Sequence, residues 1–226
     1  MNNHSEVVHL DSASITVDNQ VLLKDIHLQI NKGEFCYLKG ETGSGKSSLI
    51  KALYGLLPME GARLYVAGHD LTELTNETLP KYRQSLGLIS EIYPIFLEDT
   101  VFKNMDRILH AIDWAIASER EKRINEVLDQ IGLDEVKSTL VRDLPSGQRQ
   151  KVSIARSVLN RPSLILADNP MVHLDEKSTE EVMSLFINIV KDNKTSVLCI
   201  VSDDQLMNRY PSRSYFCGDG TITESR

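Results

Sequence analysis

The chain has 226 residues, of which 41% are hydrophobic and 25% charged, and its formal net charge is -7. This size and composition are those of a folded protein with room for one large domain and a sizeable core. The acidic balance and the lack of a long basic run argue against nucleic acid as a partner. Residues 1–12 lack the apolar core of a signal peptide, and no apolar run reaches the ~18–20 residues that span a bilayer. We therefore expect any role at a membrane to depend on another chain.

The first third of the chain predicts two strands followed by a strand, a loop and a helix. Residues 9–17 (HLDSASITV) and 21–30 (VLLKDIHLQI) alternate or run apolar, as strands do. Residues 34–40 (EFCYLKG) form a short apolar run ending in glycine, which is typical of a buried strand that leads into a loop. Residues 46–57 then have the apolar spacing of a helix.

The middle of the chain changes character. Residues 100–118 and 119–133 have helical periodicity, which predicts a helical lobe inserted into an α/β core. Beyond the lobe, helices alternate with buried strands, and this alternation favours a parallel sheet covered by helices on both faces. The predicted elements there are a helix at 148–160, a strand at 163–168, a helix at 178–193 and a strand at 195–204.

Residues 40–47 (GETGSGKS) match the phosphate-binding pattern G-x-x-x-x-G-K-[ST], between a predicted strand and a predicted helix. Glycines let the backbone approach phosphate closely, so that successive N–H groups point inward, and the positive end of the following helix faces the same anion. Lys46 would add a charge for the β- and γ-phosphates, and Ser47 a hydroxyl for Mg²⁺. The predicted nucleotide-binding residues here are Gly40, Glu41, Thr42, Gly43, Ser44, Gly45, Lys46, Ser47 and Ser48.

A second candidate ligand follows the apolar run LILA. Asp168 ends that run, and a carboxylate at the end of a buried strand can hold Mg²⁺ through water. Many strands end in aspartate, but the phosphate-binding pattern makes Asp168 the natural partner of Ser47 at a metal site.

The segments GETGSGKS, LPSGQRQKVSIARSVLNRPSLILADNP and MVHLD, in this order, resemble the motifs of the ATP-binding-cassette (ABC) ATPases over essentially the whole chain. The resemblance implies an α/β P-loop NTPase fold with a mostly parallel core sheet, an antiparallel N-terminal β subdomain and an inserted α-helical lobe. We expect one domain over 1–226, with its core at about 1–91 and 148–226 and its lobe at about 92–147. The resemblance also implies ATP and Mg²⁺ as ligands and a head-to-tail dimer with a second copy. Each ATP would then lie between the phosphate loop of one subunit and the signature loop of the other.

Within the family, the chain resembles the FtsE branch of cell-division ATPases in KGEFCYLKGETGSGKSSLIKALYGLLP, TEEVM and YPSRSYFCGDGTITE. This implies a peripheral subunit on the cytoplasmic face of the inner membrane. Such a subunit would act through an integral, FtsX-like membrane partner in cell division and peptidoglycan remodelling. Two alternatives stay open: an active ATPase of a lipoprotein-release or macrolide-export transporter, and a non-catalytic, nucleotide-gated adaptor.

Three positions near the expected γ-phosphate depart from the family pattern. Asn169 stands at the site of the catalytic glutamate, and an amide cannot accept the proton of the attacking water. Losing a general base slows a reaction by about 10²–10⁴-fold. Asp203 stands where the family carries its switch histidine, and an ionised carboxylate would repel the γ-phosphate. Glu91 replaces a glutamine that reaches Mg²⁺ and water, and it remains a competent Mg²⁺ ligand.

Two further departures concern the signature loop and the base of the nucleotide. Pro145 and Ser146 replace the first Ser-Gly of the family signature, whereas Gly147 and Gln148 remain. Proline brings no hydroxyl and no N–H to a γ-phosphate, but Ser146 could supply a hydroxyl from the next position. Val17 aligns with the aromatic residue that stacks on adenine in relatives, and it offers apolar contact without a π-face. Val17, Ser146, Gly147 and Gln148 complete the predicted nucleotide contacts.

The altered residues leave two hypotheses for hydrolysis. Either Glu91 or Asp203 has taken over as the base, or the site binds Mg·ATP with little or no hydrolysis. We favour the second hypothesis because a general base needs hydrogen-bond reach to the water. The predicted metal ligands are Ser47, Glu91 and Asp168, and the altered catalytic positions are Asn169, Asp203 and Glu91.

By the same resemblance, two other residues fall at expected interfaces. His173, beside Leu174 and Asp175, would lie where the two subunits meet, and the alternative is a solvated loop histidine. Phe96 falls in the groove where family members receive the membrane partner, and the alternative is a buried aromatic side chain.

Overall fold

The computed structural model describes residues 5–92, 94–112 and 114–225. These residues form two β-sheets flanked by helices. In chain order the elements are β1 (Glu6–Val17), β2 (Gln20–Asn31), β3 (Phe35–Lys39), α1 (Lys46–Leu53), β4 (Met59–Glu60), β5 (Arg63–Val66), β6 (His69–Asp70), α2 (Leu79–Gln84), β7 (Leu86–Ile89), α3 (Val101–Ala111), α4 (Ala117–Ile131), α5 (Ser146–Val158), β8 (Leu164–Ala167), α6 (Glu176–Asn193), β9 (Ser196–Ile200), α7 (Asp204–Arg209), β10 (Arg213–Gly218) and β11 (Thr221–Ser225).

The N-terminal sheet is antiparallel, with the strand order β2-β1-β5-β6 and with β4 paired to β1. The hairpin between β1 and β2 turns at Asp18 and Asn19, whose φ angles are +50° and +61°. Two positive φ angles fit a type I′ turn, in which Asn and Asp are favoured. The two N-terminal strands predicted from the sequence are confirmed.

The second sheet has the order β11-β10-β3-β9-β8-β7. Strands β10, β3, β9, β8 and β7 run parallel, and only β11 pairs antiparallel at the edge. One apolar core fills the space between the two sheets together with α1, and the other lies on the opposite face under α3, α4, α5 and α6. Because both faces are covered, β3, β8 and β9 read as continuous apolar runs. The predicted fold, a mostly parallel core sheet beside an antiparallel N-terminal sheet, is confirmed.

Helix α1 ends earlier than the sequence predicts, at Leu53 instead of about Leu57. Gly55 takes a left-handed φ of +71°. The Leu56 N–H donates to the Lys51 carbonyl at 2.8 Å, and the Gly55 N–H donates to the Ala52 carbonyl at 2.9 Å. This pair of bonds is a Schellman motif, which satisfies the last carbonyls of a helix and stops it. The apolar spacing continues past the glycine because Leu56 and Leu57 are also partly buried, although they lie outside the helix.

Helix α3 also ends before the predicted limit, at Ala111 instead of residue 118, so the prediction is wrong over its last part. Within that part, Asp113 lies outside the described residues. The Arg120 guanidinium on α4 donates to the Trp114 carbonyl at 2.7 Å and to the Ala115 carbonyl at 3.1 Å. The Trp114 and Ala115 carbonyls therefore accept from a side chain of α4 and not from the backbone N–H groups of a longer α3. Trp114 is partly buried and packs against the core beneath the helices.

Helices α3 and α4 fall within the range 92–147 that was predicted as a lobe, and α5 begins at its end with Ser146. The residue boundaries of core and lobe stay a prediction. Among the described residues, none of the helices combines the length and apolar character that crossing a bilayer requires.

Candidate nucleotide-binding site

The phosphate loop, residues 40–47, connects the end of β3 to the start of α1. Gly40 has a φ of +144°, and a Cβ on it would lie 2.1 Å from the carbonyl oxygen of Cys217 on β10. Gly45 has a φ of +106°, and a Cβ there would lie 3.0 Å from Leu23 of β2. The loop backbone is thus pressed between both sheets at these two positions, and only glycine fits. The residues between them, 41–43, stay exposed.

Lys46 is the first residue of α1 and is buried. Its ammonium donates to the carbonyls of Gly40 at 2.7 Å and Glu41 at 2.5 Å, and lies 3.4 Å from the hydroxyl of Ser44. A cation held inside the loop, at the positive end of a helix, makes a strong anion site. The loop therefore has the shape and charge that a di- or triphosphate requires.

Cys217 of β10 contacts the backbone of the phosphate loop. This contact was not predicted from the sequence. Its Sγ donates to the Ser44 carbonyl at 3.1 Å. Burial raises the pKa of this thiol, while the contact with Ser44 and the charge of Lys46 oppose the rise. The thiol therefore stays protonated at neutral pH and serves as a donor to the loop backbone.

Two of the three predicted metal ligands, Ser47 and Asp168, meet at the base of the loop. The Ser47 hydroxyl donates to Oδ1 of Asp168 at 3.1 Å. Asp168 follows β8, and its own N–H donates to the Ile89 carbonyl at the end of β7 at 2.8 Å. A hydroxyl beside a carboxylate offers the oxygen ligands that Mg²⁺ prefers, so the residues present fit this ion.

Asn169 faces the same carboxylate. Its amide Nδ2 donates to Oδ1 of Asp168 at 3.0 Å. The residue has a φ of +50°, a left-handed conformation that Asn adopts more readily than most residues. The side chain thus satisfies Asp168 and presents no carboxylate of its own.

A cavity of about 550 Å³ opens beside the side chains of Asp168 and Asn169. It brings Glu91 to the same space, as the sequence predicts for a residue near the metal. Among its lining residues are Ser47, Glu91, Arg156, Asp168, Asn169 and His173.

Asp203 is not among the residues that line this cavity. Its carboxylate is the N-cap of α7 and accepts from the N–H groups of Gln205 at 2.8 Å and Leu206 at 3.2 Å. This role was not predicted, because residues 195–204 were predicted as one strand, whereas β9 ends at Ile200 and α7 begins at Asp204. The expected place of Asp203 beside the γ-phosphate, which its charge would repel, stays a prediction, and so does its possible role as a displaced base.

The signature residues lie on another part of the surface. Pro145 caps α5, and the exposed Ser146 lines a neighbouring pocket with His173. Gly147 leaves no room for a side chain, since a Cβ would lie 2.6 Å from the Ser178 hydroxyl on α6. Neither Ser146 nor Gln148 lines the cavity of Ser47 and Asp168.

Val17 ends β1 and is half-buried, packed against the core between the two sheets. Its predicted contact with adenine stays a prediction, as do the nucleotide contacts of the signature residues.

A strand, a glycine-rich loop and a helix, with an aspartate at the end of another parallel strand of the same sheet, define a P-loop nucleotide-binding protein. The family described as ABC transporter matches residues 23–172. The chain therefore belongs to the ABC transporter family, as one of its ATP-binding domains.

Relatives agree with this assignment. The chain is 31% identical over 200 residues to the cell division ATP-binding protein FtsE of Escherichia coli K12. The match covers 88% of this chain and 89% of FtsE. It is 30% identical over 208 residues to the ABC transporter ATP-binding protein YtrE of Bacillus subtilis 168, over 89% of each chain. The dimeric structure of MJ0796, a bacterial ABC transporter cassette, is 26% identical with a TM-score of 0.83, covering 97% of this chain and 98% of that one.

Proposed function

We propose that this chain is the ATP-binding subunit of an FtsE-like, membrane-associated complex, in which binding of Mg·ATP drives closure of a head-to-tail dimer and hydrolysis is slow or absent. The hydrogen bonds that join Ser47, Asp168 and Asn169 carry this proposal. They combine an intact place for metal and phosphate with an amide where general-base catalysis needs a carboxylate.

Binding is assigned to the phosphate loop and its supports. The N–H groups of residues 41–45 and the Lys46 ammonium would surround the phosphates, with charge-assisted hydrogen bonds. Ser47 and Asp168 would hold Mg²⁺, and Glu91 lies close enough to the cavity to add a third oxygen. When bound, Mg²⁺ neutralises charge on the β- and γ-phosphate oxygens.

Slow hydrolysis follows from what the remaining side chains can do. Asn169 can orient a water but cannot take its proton, and its donor group already bonds Asp168. Asp203 caps α7, so moving it toward a phosphate would break two hydrogen bonds and bring like charges together. We therefore assign the nucleotide a gating role, in which ATP holds two copies together and ADP releases them.

The membrane partner would be an integral, FtsX-like subunit on the cytoplasmic face of the inner membrane, and peptidoglycan remodelling would be the outcome. Similarity to FtsE supports this assignment. Three exposed apolar side chains close together in the sequence, Ile92, Phe96 and Leu97, support it as well. Phe96 is 47% exposed, and the guanidiniums of Arg107 and Arg156 lie 5.2 and 5.5 Å from its ring centre. An aromatic side chain held between two cations suits an amphipathic partner segment.

A second candidate is an active ATPase of an exporter, in which Glu91 is the displaced base. The position of Glu91 in the cavity with Asn169 favours it. The two candidates differ in what Glu91→Gln does. If Glu91 is the base, phosphate release falls about 100-fold or more. If the site is a gate, release stays at its low starting value and only Mg²⁺ affinity changes.

The experiment that tests the whole proposal is reconstitution. The chain and an FtsX-like membrane subunit from the same organism would be co-expressed, purified in detergent and compared with Mg·ATP, Mg·ADP and no nucleotide. We expect stable co-purification, and we expect closure between two copies, measured by inter-subunit cross-linking, only with Mg·ATP. Closure that is equal with ADP, or no nucleotide binding at all, would refute the proposal.

A further inference from the structure

Cys217 contacts the phosphate loop at two points, and both contacts hold loop backbone. Its carbonyl oxygen lies against Gly40, where it would be 2.1 Å from a Cβ. Its thiol donates to the Ser44 carbonyl at 3.1 Å, although 173 residues separate the two along the chain. The thiol keeps its proton at neutral pH because burial raises its pKa. Strand β10 therefore holds the loop both at its first residue and near its end.

The thiol contact sets the direction of one N–H group. The Ser44 carbonyl and the Gly45 N–H belong to the same planar trans peptide, so they point in opposite directions. Because the carbonyl points toward Cys217, the Gly45 N–H points away from β10. Among the described residues, none accepts a hydrogen bond from this N–H. The loop thus presents a backbone donor that is ready for a ligand.

Glycine makes this orientation easy to lose. Gly43 and Gly45 flank Ser44 and have φ angles of +84° and +106°. Glycine adopts positive and negative φ about equally, so the peptide between residues 44 and 45 can turn over without the steric cost that a side chain on residue 45 would impose. Helix α1 holds the far side of Gly45, whose carbonyl accepts from the Leu49 N–H at 3.0 Å. On the near side, the Cys217 thiol holds the Ser44 carbonyl.

From these observations we propose that the Cys217 thiol is a positioning group for nucleotide binding, which keeps the Gly45 N–H aimed at the inner phosphates of ATP or ADP. In the phosphate-binding pattern, the loop N–H groups surround the α- and β-phosphates. Both nucleotides carry these phosphates, so the contribution is the same for ATP and ADP and does not need Mg²⁺. This inference rests on the proposed function, because it needs a loop that binds nucleotide.

The size of the effect follows from the donor. An S–H group is a weak hydrogen-bond donor, and it acts here by holding the free loop in its binding conformation, which lowers the cost of ordering the loop on binding. We therefore expect a change of a few-fold in affinity, below the tenfold loss expected for a metal ligand.

The test measures the affinity of the full chain for ADP and for a non-hydrolysable ATP analogue by titration calorimetry, with Mg²⁺ and with a chelator. Cys217→Val and Cys217→Ala both remove the donor, and valine keeps the buried volume filled. For both variants we expect the affinity for each nucleotide to fall by about three- to fivefold, by the same factor with and without Mg²⁺. Cys217→Ser keeps a hydroxyl donor, and we expect its affinities to lie within about twofold of wild type.

Cys36→Val and Cys36→Ala are the matched controls. Cys36 is buried in the same core between the two sheets but lies on β3, and in the described part of the chain no hydrogen bond joins its thiol to the phosphate loop. Thermal unfolding should show that the alanine variants at both positions lose stability. Both Cys36 variants should nevertheless keep wild-type affinities, because their loop peptide stays held.

Unchanged affinity in both Cys217→Val and Cys217→Ala would overturn the inference while wild-type binding still supports the proposed function. An equal loss in the Cys36 variants, or no recovery in Cys217→Ser, would assign the effect to core packing and overturn it as well. A loss confined to the ATP analogue or to Mg²⁺ would contradict the assignment to the Gly45 N–H. Wild type that binds neither nucleotide would instead refute the proposed function.

Discussion

The hydroxyl of Ser47 and the carboxylate of Asp168 lie 3.1 Å apart, although 121 residues separate them along the chain. The parallel sheet explains this contact, because β3 and β8 both end at the same edge and flank β9. Ligands of open α/β sheets bind at that edge, outside the carboxyl ends of the strands. Asn169 bonds the same oxygen of Asp168, so its amide and the metal site are coupled directly.

Removing the Ser47 hydroxyl should weaken nucleotide binding only when Mg²⁺ is present. For Ser47→Ala we expect about a tenfold loss of ATP affinity with Mg²⁺ and little change with a chelator, because the hydroxyl would be a metal ligand in the proposed site. Calorimetric titration with and without Mg²⁺ measures both values. Ser184→Ala, on the exposed face of α6, is the control, and an equal loss in chelator would assign Ser47 a structural role only.

Gly40 and Gly43 both have positive φ angles but differ in the space around them. A Cβ on Gly40 would lie 2.1 Å from the Cys217 carbonyl, whereas nothing lies within 4 Å of a Cβ on Gly43. We expect Gly40→Ala to lower the free energy of unfolding by about 3 kcal/mol or more. Gly43→Ala should cost about 1 kcal/mol for backbone strain alone. Urea denaturation measures both, and equal losses would contradict the close packing of β10 on the loop.

Asp203 should matter first for the stability of α7. Asp203→Ala removes the cap that accepts from Gln205 and Leu206, and we expect it to cost about 1 kcal/mol. Asp203→Asn keeps an acceptor, so its stability should stay within a few tenths of a kcal/mol of wild type. Thermal unfolding of wild type and the two variants tests whether Asp203→Ala is the least stable of the three. If both are as stable as wild type, the carboxylate is free to act elsewhere.

Asp175 gives α6 a cap whose strength depends on pH. Its carboxylate accepts from the Ser178 N–H at 2.7 Å, and this bond lowers the pKa of Asp175 in the folded chain. Since the folded value lies below the unfolded value of about 3.9, the stabilisation is present above that pH and is lost as the pH falls through the folded pKa. We expect wild type to be more stable than Asp175→Asn at neutral pH, and we expect the two to converge as the pH falls below the folded pKa of Asp175. A difference that does not change with pH would show that the charge contributes nothing.

The sequence predicts those parts of the fold whose signals are long or chemically specific. Strands β1 and β2 and the loop between β3 and α1 follow from alternation and from the glycine pattern. Short elements such as α2, β7 and α7 hold four to six residues, too few for a period to be recognised. The hairpin of β10 and β11 carried a usable signal, Asp219-Gly220 with φ angles of +50° and +71°, which favours a type I′ turn.

The candidate site likewise contains some residues whose roles the sequence predicts and others whose roles it does not. Ser47 and Asp168 are predictable because motif spacing identifies the two chemical groups and the parallel sheet brings them together. The support given by Cys217 is not predictable, because it depends on Ser44, which is distant in sequence. The cap formed by Asp203 is local, but it belongs to a six-residue helix that is too short to be recognised from a period. Whether a carboxylate faces a phosphate or caps a helix is decided by α7, and no pattern at position 203 alone predicts it.

The measurement that tests the central claim most directly is phosphate release by purified wild type and Asn169→Glu, each at saturating Mg·ATP with affinity measured in parallel. We predict that wild type binds ATP and releases almost no phosphate. The glutamate variant should gain little, because a Glu at a φ of +50° is strained and would face Asp168 with a like charge. Stability of the variant would be checked by thermal unfolding. Ordinary turnover by wild type would contradict the account and direct attention to Glu91 as the base.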